Sequence, residues 1–149
     1  MAENYSVQNI FPVRGATATN NVITFARVTL TSAYTGNLTS GIQLSGQTQI
    51  MFFVDFLTHA SATTSDIDIR LEFSPDNTNW YQETESSVAA GVDQMTRLEH
   101  SFTGGAASTT YSFRFAVPVA DKFMRVALKQ AVDVTNFGTA SILMVVSGQ

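Results

Sequence analysis

The chain has 149 residues, 44% hydrophobic and 13% charged, which is enough apolar material for one domain with a real core and too much for general disorder. A net charge of -4, with only two lysines (Lys122 and Lys129) and six scattered arginines, leaves no cationic face to neutralise phosphates, so no direct nucleic-acid contact is expected. Cysteine is absent, which excludes a disulfide framework, a thiolate nucleophile and a cysteine-based zinc site.

In chain order, residues 1–21 form a distinct opening segment. Its start, MAENYSVQNIFPVRG, has no basic region followed by an apolar stretch and is not read as a secretory signal. Ile10, Phe11 and Val13 flank Pro12, and a small polar patch, GATATNN, follows. The segment reads as an N-terminal arm whose apolar residues lie on a surface, either its own domain or a neighbouring subunit.

Residues 22–149 read as one β domain. Over 22–31, Val22, Ala26, Val28 and Leu30 are placed on one face. The run QIMFFVDFLT at 49–58 is apolar on nearly both faces and predicts a central strand covered on both sides. DIDIRLEF gives the clearest alternation, with Ile67, Ile69, Leu71 and Phe73 on one face and Asp66, Asp68, Arg70 and Glu72 on the other. The charged row predicts a solvated face.

Weaker strands fall at 80–84 and 95–102, and 88–95 is the best short helical candidate, weakened by Gly91. Strands follow at 111–117, 123–128 and 139–146, with turn-rich linkers between. The longest apolar runs, IMFFV and ILMVV, are far too short to span a membrane. About eight strands at this spacing predict an all-β, single antiparallel β-sandwich, jelly-roll-like, with a closed barrel as the second choice.

The stretch SPDNTNW between two strands is explained by turn chemistry. Pro75 suits the first corner of a turn, and Asp76 and Asn77 tolerate unusual backbone angles while bonding nearby amides. It lacks the spaced acids of a calcium loop. Trp80 and Tyr81 are adjacent, so on a strand they point to opposite faces, and either could form a ligand platform. His59 and His100 are the only histidines. No G-x-S-x-G, HxH, HExxH or P-loop accompanies them, so no catalytic residue, metal ligand or cofactor is assigned and a non-enzyme is expected.

The run LEFSPDNTNWYQ resembles the strand-turn-tryptophan hairpin of small β-sandwich proteins in bacteriophage particles. YSFRFAVPVADKFMRVALKQ followed by GTASILMVVSGQ resembles the closing strands of the same kind of protein. The resemblance runs from Gln49 to Gln149, and Asn77 stands where such proteins often carry glycine. It implies a virion structural role, capsid decoration or cement, assembled in the host cytoplasm. The partners it implies are a major capsid protein or another virion protein, with a homo-oligomer, a trimer, as the expected state. On this reading Ile10, Phe11 and Val13 and the sheet edges make the contacts. The alternative is a carbohydrate-binding or receptor-binding domain of a tail or fibre, using Trp80 or Tyr81.

Overall fold

The computed structural model describes residues 16–19, 22–36, 41–44 and 46–148. The arm residues Ile10, Phe11 and Val13 lie outside the described residues. All regular structure among the described residues is antiparallel β, in thirteen strands: β1 (Ala16–Thr19), β2 (Val22–Thr29), β3 (Thr35–Gly36), β4 (Ile42–Gln43), β5 (Gln47–Leu57), β6 (Ser65–Ser74), β7 (Tyr81–Gln82), β8 (Thr84–Ala89), β9 (Val92–Arg97), β10 (His100–Gly104), β11 (Thr110–Pro118), β12 (Phe123–Val132) and β13 (Thr139–Gly148).

Two sheets pack face to face. Sheet A has the order β1-β2-β13-β5-β11; sheet B has β10-β6-β12-β3, with β4 also on β12 and β7 also on β6. With β3 and β4 taken as one interrupted strand and the short β1 and β7 and the β8–β9 ribbon set aside, the pairings are first with last (β2 with β13), second with seventh (β3/β4 with β12), third with sixth (β5 with β11) and fourth with fifth (β6 with β10). This is the connectivity of a long antiparallel hairpin wound into two layers, a jelly roll. Ala16–Thr19 adds a short edge strand to β2.

The core forms because strand side chains alternate. Ile50, Phe52, Val54 and Phe56 of β5 face Ile67, Ile69, Leu71 and Phe73 of β6, with Met124, Val126 and Leu128 of β12 and Ile142, Met144 and Val146 of β13 completing one cluster. At the β10–β11 edge, aromatic rings close the gap between the layers: Phe102 stacks on Phe113 at 4.5 Å, and Phe115 stacks on Phe52 at 4.8 Å and on the His100 ring at 4.4 Å.

Four expectations are corrected. In β2 the buried residues are Ile23 and Phe25, with Leu30 buried just beyond it, while Ala26 is exposed. The cause is a β-bulge: β2 takes three steps from Phe25 to Val28 where β13 takes two from Ile142 to Ala140, which switches the alternation. β5 is an interior strand of sheet A but covered on one face only, since Asp55 is exposed and Phe53 is 37% exposed.

Residues 88–95 are not helical. They belong to the β8–β9 ribbon, which turns through Ala90 and Gly91 at φ 52° and 76°. Two successive positive φ values are what a tight two-residue hairpin turn requires, and Gly91 supplies one at no steric cost. Finally, the charged row of β6 is not solvated: Asp68 is 6% and Glu72 8% exposed.

Candidate functional site

The charged row is buried because sheet B has cover on its outer face. Strand register sets Arg125 beside Glu72 and Lys129 beside Asp68. The Arg125 Nε donates to Glu72, whose other carboxylate oxygen pairs with Arg70 at 3.1 Å; Lys129 pairs with Asp68 at 3.4 Å, and Ser101 donates to Asp68. Aromatic rings lie over these cations. Trp80 covers the Arg125 guanidinium at 4.5 Å, and Tyr34 covers both Arg70 at 4.3 Å and the Lys129 ammonium at 4.6 Å. Each carboxylate therefore has cationic or hydroxyl donors in place of water, as a buried charge needs. Burial first, and then the nearby Glu99 and Asp68 carboxylates, push the Tyr34 phenol well above its ordinary range, so it stays neutral.

The turn that delivers Trp80 is built around one carboxylate. Asp76 Oδ1 accepts from the backbone N–H groups of Thr78 and Asn79, both at 2.8 Å, and from Ser74 Oγ at 3.0 Å, while Oδ2 accepts from Asn79 Nδ2 at 2.7 Å. Asn77 adopts φ 60°, a conformation asparagine tolerates better than most side chains. These donors, the Asn79 and Thr78 amides foremost, hold the Asp76 carboxyl far below the usual carboxylate range. The stability they provide is fully present above pH about 4, where aspartate is ionised even in the unfolded chain, and is lost as pH falls further. An Asp76→Asn protein should therefore lose less melting temperature than the wild type between pH 6 and pH 2.5. Equal losses would show that this carboxylate does not govern the acid response.

Trp80 and Tyr81 come together at one cleft, although they are neighbours in sequence. Trp80 lies just before β7, half-buried on Arg125, and Tyr81 sits in β7 opposite Phe73 and is 63% exposed. Both line a cleft of about 330 Å³ with Arg70, Glu72, Gln82, Thr84 and Arg97. One wall is the root of the β8–β9 ribbon. Glu83 fastens that root to the body: its N–H donates to the Leu71 carbonyl at 3.0 Å, its own carbonyl accepts from Leu98 at 2.9 Å, and its carboxylate meets His100 at 3.2 Å. Beyond this root the ribbon pairs only with itself and exposes Val88 (72%), Val92 (61%) and Met95 (67%).

The second surface is the outer face of sheet A. Register aligns Thr24, Leu143, Phe53 and Arg114 in one row across β2, β13, β5 and β11, and Val22, Val145, Met51 and Ala116 in the next. Leu143 and Phe53 are each 37% exposed, and Val22, Met51 and Val145 are half-buried. Sequence reasoning missed this surface by assigning both faces of β5 to the interior.

The histidines occupy unrelated places. His59 lies in the loop beyond Leu57, and its Nδ1 accepts from the Ser61 N–H at 3.0 Å. His100 stacks on Phe115, which pairs with Phe52, well back along β5 from Leu57. Among the described residues no three His, Asp or Glu side chains gather as metal ligands, and no helix is long and apolar enough to cross a membrane. No family model matches the chain, and no curated protein matches it in sequence.

Proposed function

We propose that this chain is a non-enzymatic structural protein of a virus particle, of the capsid-decoration kind, which docks on a repetitive protein surface through sheet A and its N-terminal arm. The observation that carries this reading is the partly exposed apolar outer face of sheet A. Soluble domains seldom leave a contiguous apolar patch across several strands unless it serves an interaction. Here the two rows hold Val22, Met51, Phe53, Leu143 and Val145, with Arg114 as the one charged side chain in them.

The arm leads into the same sheet, since Ala16 opens β1 beside β2. Ile10, Phe11 and Val13 precede it by a few residues, so arm and face can act together. On a particle with many identical copies, modest contacts of this kind are multiplied by avidity. The jelly roll is used by viral capsid domains and equally by lectins, so the fold agrees with the reading without selecting it.

The test is co-sedimentation with intact particles. A Phe53→Glu/Leu143→Glu protein should stay folded, because both positions are partly exposed already, and should bind at least tenfold more weakly, because two carboxylates, only one of them beside Arg114, would be buried in place of apolar contacts. Removal of residues 1–13 should likewise leave a folded domain that fails to incorporate. If both altered proteins sediment with particles as the wild type does, the docking assignment is wrong.

A further inference from the structure

We infer that the cleft between β7 and the root of the β8–β9 ribbon binds a sugar unit bearing a carboxylate. The cleft lies on the sheet B side of the sandwich, away from the docking face, so this inference goes beyond the structural role and does not require it.

Three observations carry it. The first is unspent hydrogen-bonding capacity. Among the described residues Arg97 makes no ion pair and no side-chain hydrogen bond, and the Thr84 and Tyr81 hydroxyls are likewise without partners. Gln82 donates through Nε2 to the Leu98 carbonyl at 3.2 Å, leaving its amide oxygen free. Most telling is Arg70, whose Nε–H is buried with no acceptor among the described residues. An unmatched buried donor is unfavourable, so a shift of the Arg70 side chain that brings it to an acceptor in the cleft would be favoured.

The second observation is charge. Two guanidiniums, Arg70 and Arg97, line the cleft against one carboxylate, Glu72, and that carboxylate is already shared with Arg125. On a chain of net charge -4 this is a local cationic excess. A guanidinium selects planar carboxylates because its fork can donate two parallel bonds to them. The third is the wall. Trp80 and Tyr81 present aromatic surface next to these donors. Aromatic ring beside polar donors is an arrangement suited to a sugar, which has an apolar C–H face and a rim of hydroxyls.

An acidic peptide shares the carboxylate but offers no ring of hydroxyls for Thr84, Tyr81 and Gln82, so the sugar is the better match. The volume, about 330 Å³, falls at the small end of ligand sites, in keeping with recognition of a terminal unit rather than a long chain.

The full-length protein should be tested on an array of glycans ending in uronic or sialic acids, with neutral-ended counterparts and a glutamate-rich peptide as comparisons. Acid-ended glycans should bind and neutral ones should not. Arg97→Ala, an exposed substitution that spares the core, should weaken binding at least tenfold, and Tyr81→Ala several-fold, with circular dichroism unchanged. Arg97→Lys should recover only part of the loss, because an ammonium lacks the fork. The inference is overturned if no acid-ended glycan binds at millimolar concentration, if neutral glycans bind equally, if Arg97→Ala binds as the wild type does, or if the peptide is the preferred ligand. Particle co-sedimentation of Arg97→Ala should be unchanged, which separates this site from the docking face.

Discussion

Replacing Gln130 by leucine is expected to lower the melting temperature by roughly 9 °C. Gln130 is fully buried in β12, and its side chain organises the loop into β13. Nε2 donates to the Asp133 carbonyl at 2.6 Å and the Asn136 carbonyl at 3.0 Å, while Oε1 accepts from the Gly138 N–H at 2.8 Å. One amide thus satisfies three backbone groups. Leucine has similar bulk but offers none of these bonds, and each stranded group costs about 1–3 kcal/mol. Allowing for relaxation and water at the exposed part of the loop, the net loss is about 3 kcal/mol, which for a domain of this size corresponds to roughly 9 °C. Gly138 also packs closely against the end of β5, where a Cβ would lie 2.5 Å from the Leu57 carbonyl oxygen, so no larger residue can take its place. Calorimetry checks the size of the effect. Faster hydrogen exchange at the Gly138 amide checks its cause. A melting temperature within 2 °C or so of the wild type would mean that the loop holds itself.

The second large effect contrasts two adjacent phenylalanines. Phe52→Ala should cost about 3–5 kcal/mol, whereas Phe53→Ala should stay within about 1 kcal/mol. Phe52 is fully buried and stacked on Phe115, while Phe53 points out of sheet A. The first substitution leaves a cavity in a close-packed interior and removes a ring contact; the second removes surface that water already reaches. Chemical denaturation of the two proteins gives the comparison directly. Similar losses at both positions would mean that Phe53 is covered in solution, as packing of the arm across sheet A would achieve.

What could be read from the amino acids was the local part of the design. The alternation in β6 located its inner face correctly, and SPDNTNW was recognised as a corner held by Asp76. The all-β jelly roll followed from strand spacing. Three features escaped for physical reasons. A bulge is invisible to strict alternation, so alternation alone misplaces the buried face of β2 and gets only Leu30 right. An apolar run does not reveal whether both its faces find cover, so the sequence of β5 alone implies an interior strand on both sides.

The third feature, the cleft, depends on pairs far apart in sequence. Arg125 meets Glu72 only because β12 lies beside β6, and Arg97 approaches Trp80 only because the ribbon folds back at Ala90–Gly91. Trp80 and Tyr81 stood out by residue type alone; nothing near them in the chain announced the arginines.

The position of β13 has a consequence for how the protein is made. This strand, Thr139–Gly148, lies between β2 and β5, two segments translated long before it. During synthesis β2 has no neighbour on its inner side until β13 has emerged, after all the strands between them. The nascent chain must therefore hold greasy, half-finished layers apart from one another and from other chains for most of its emergence. Its ordering is then slow and late, as befits a topology in which the first and last strands are partners.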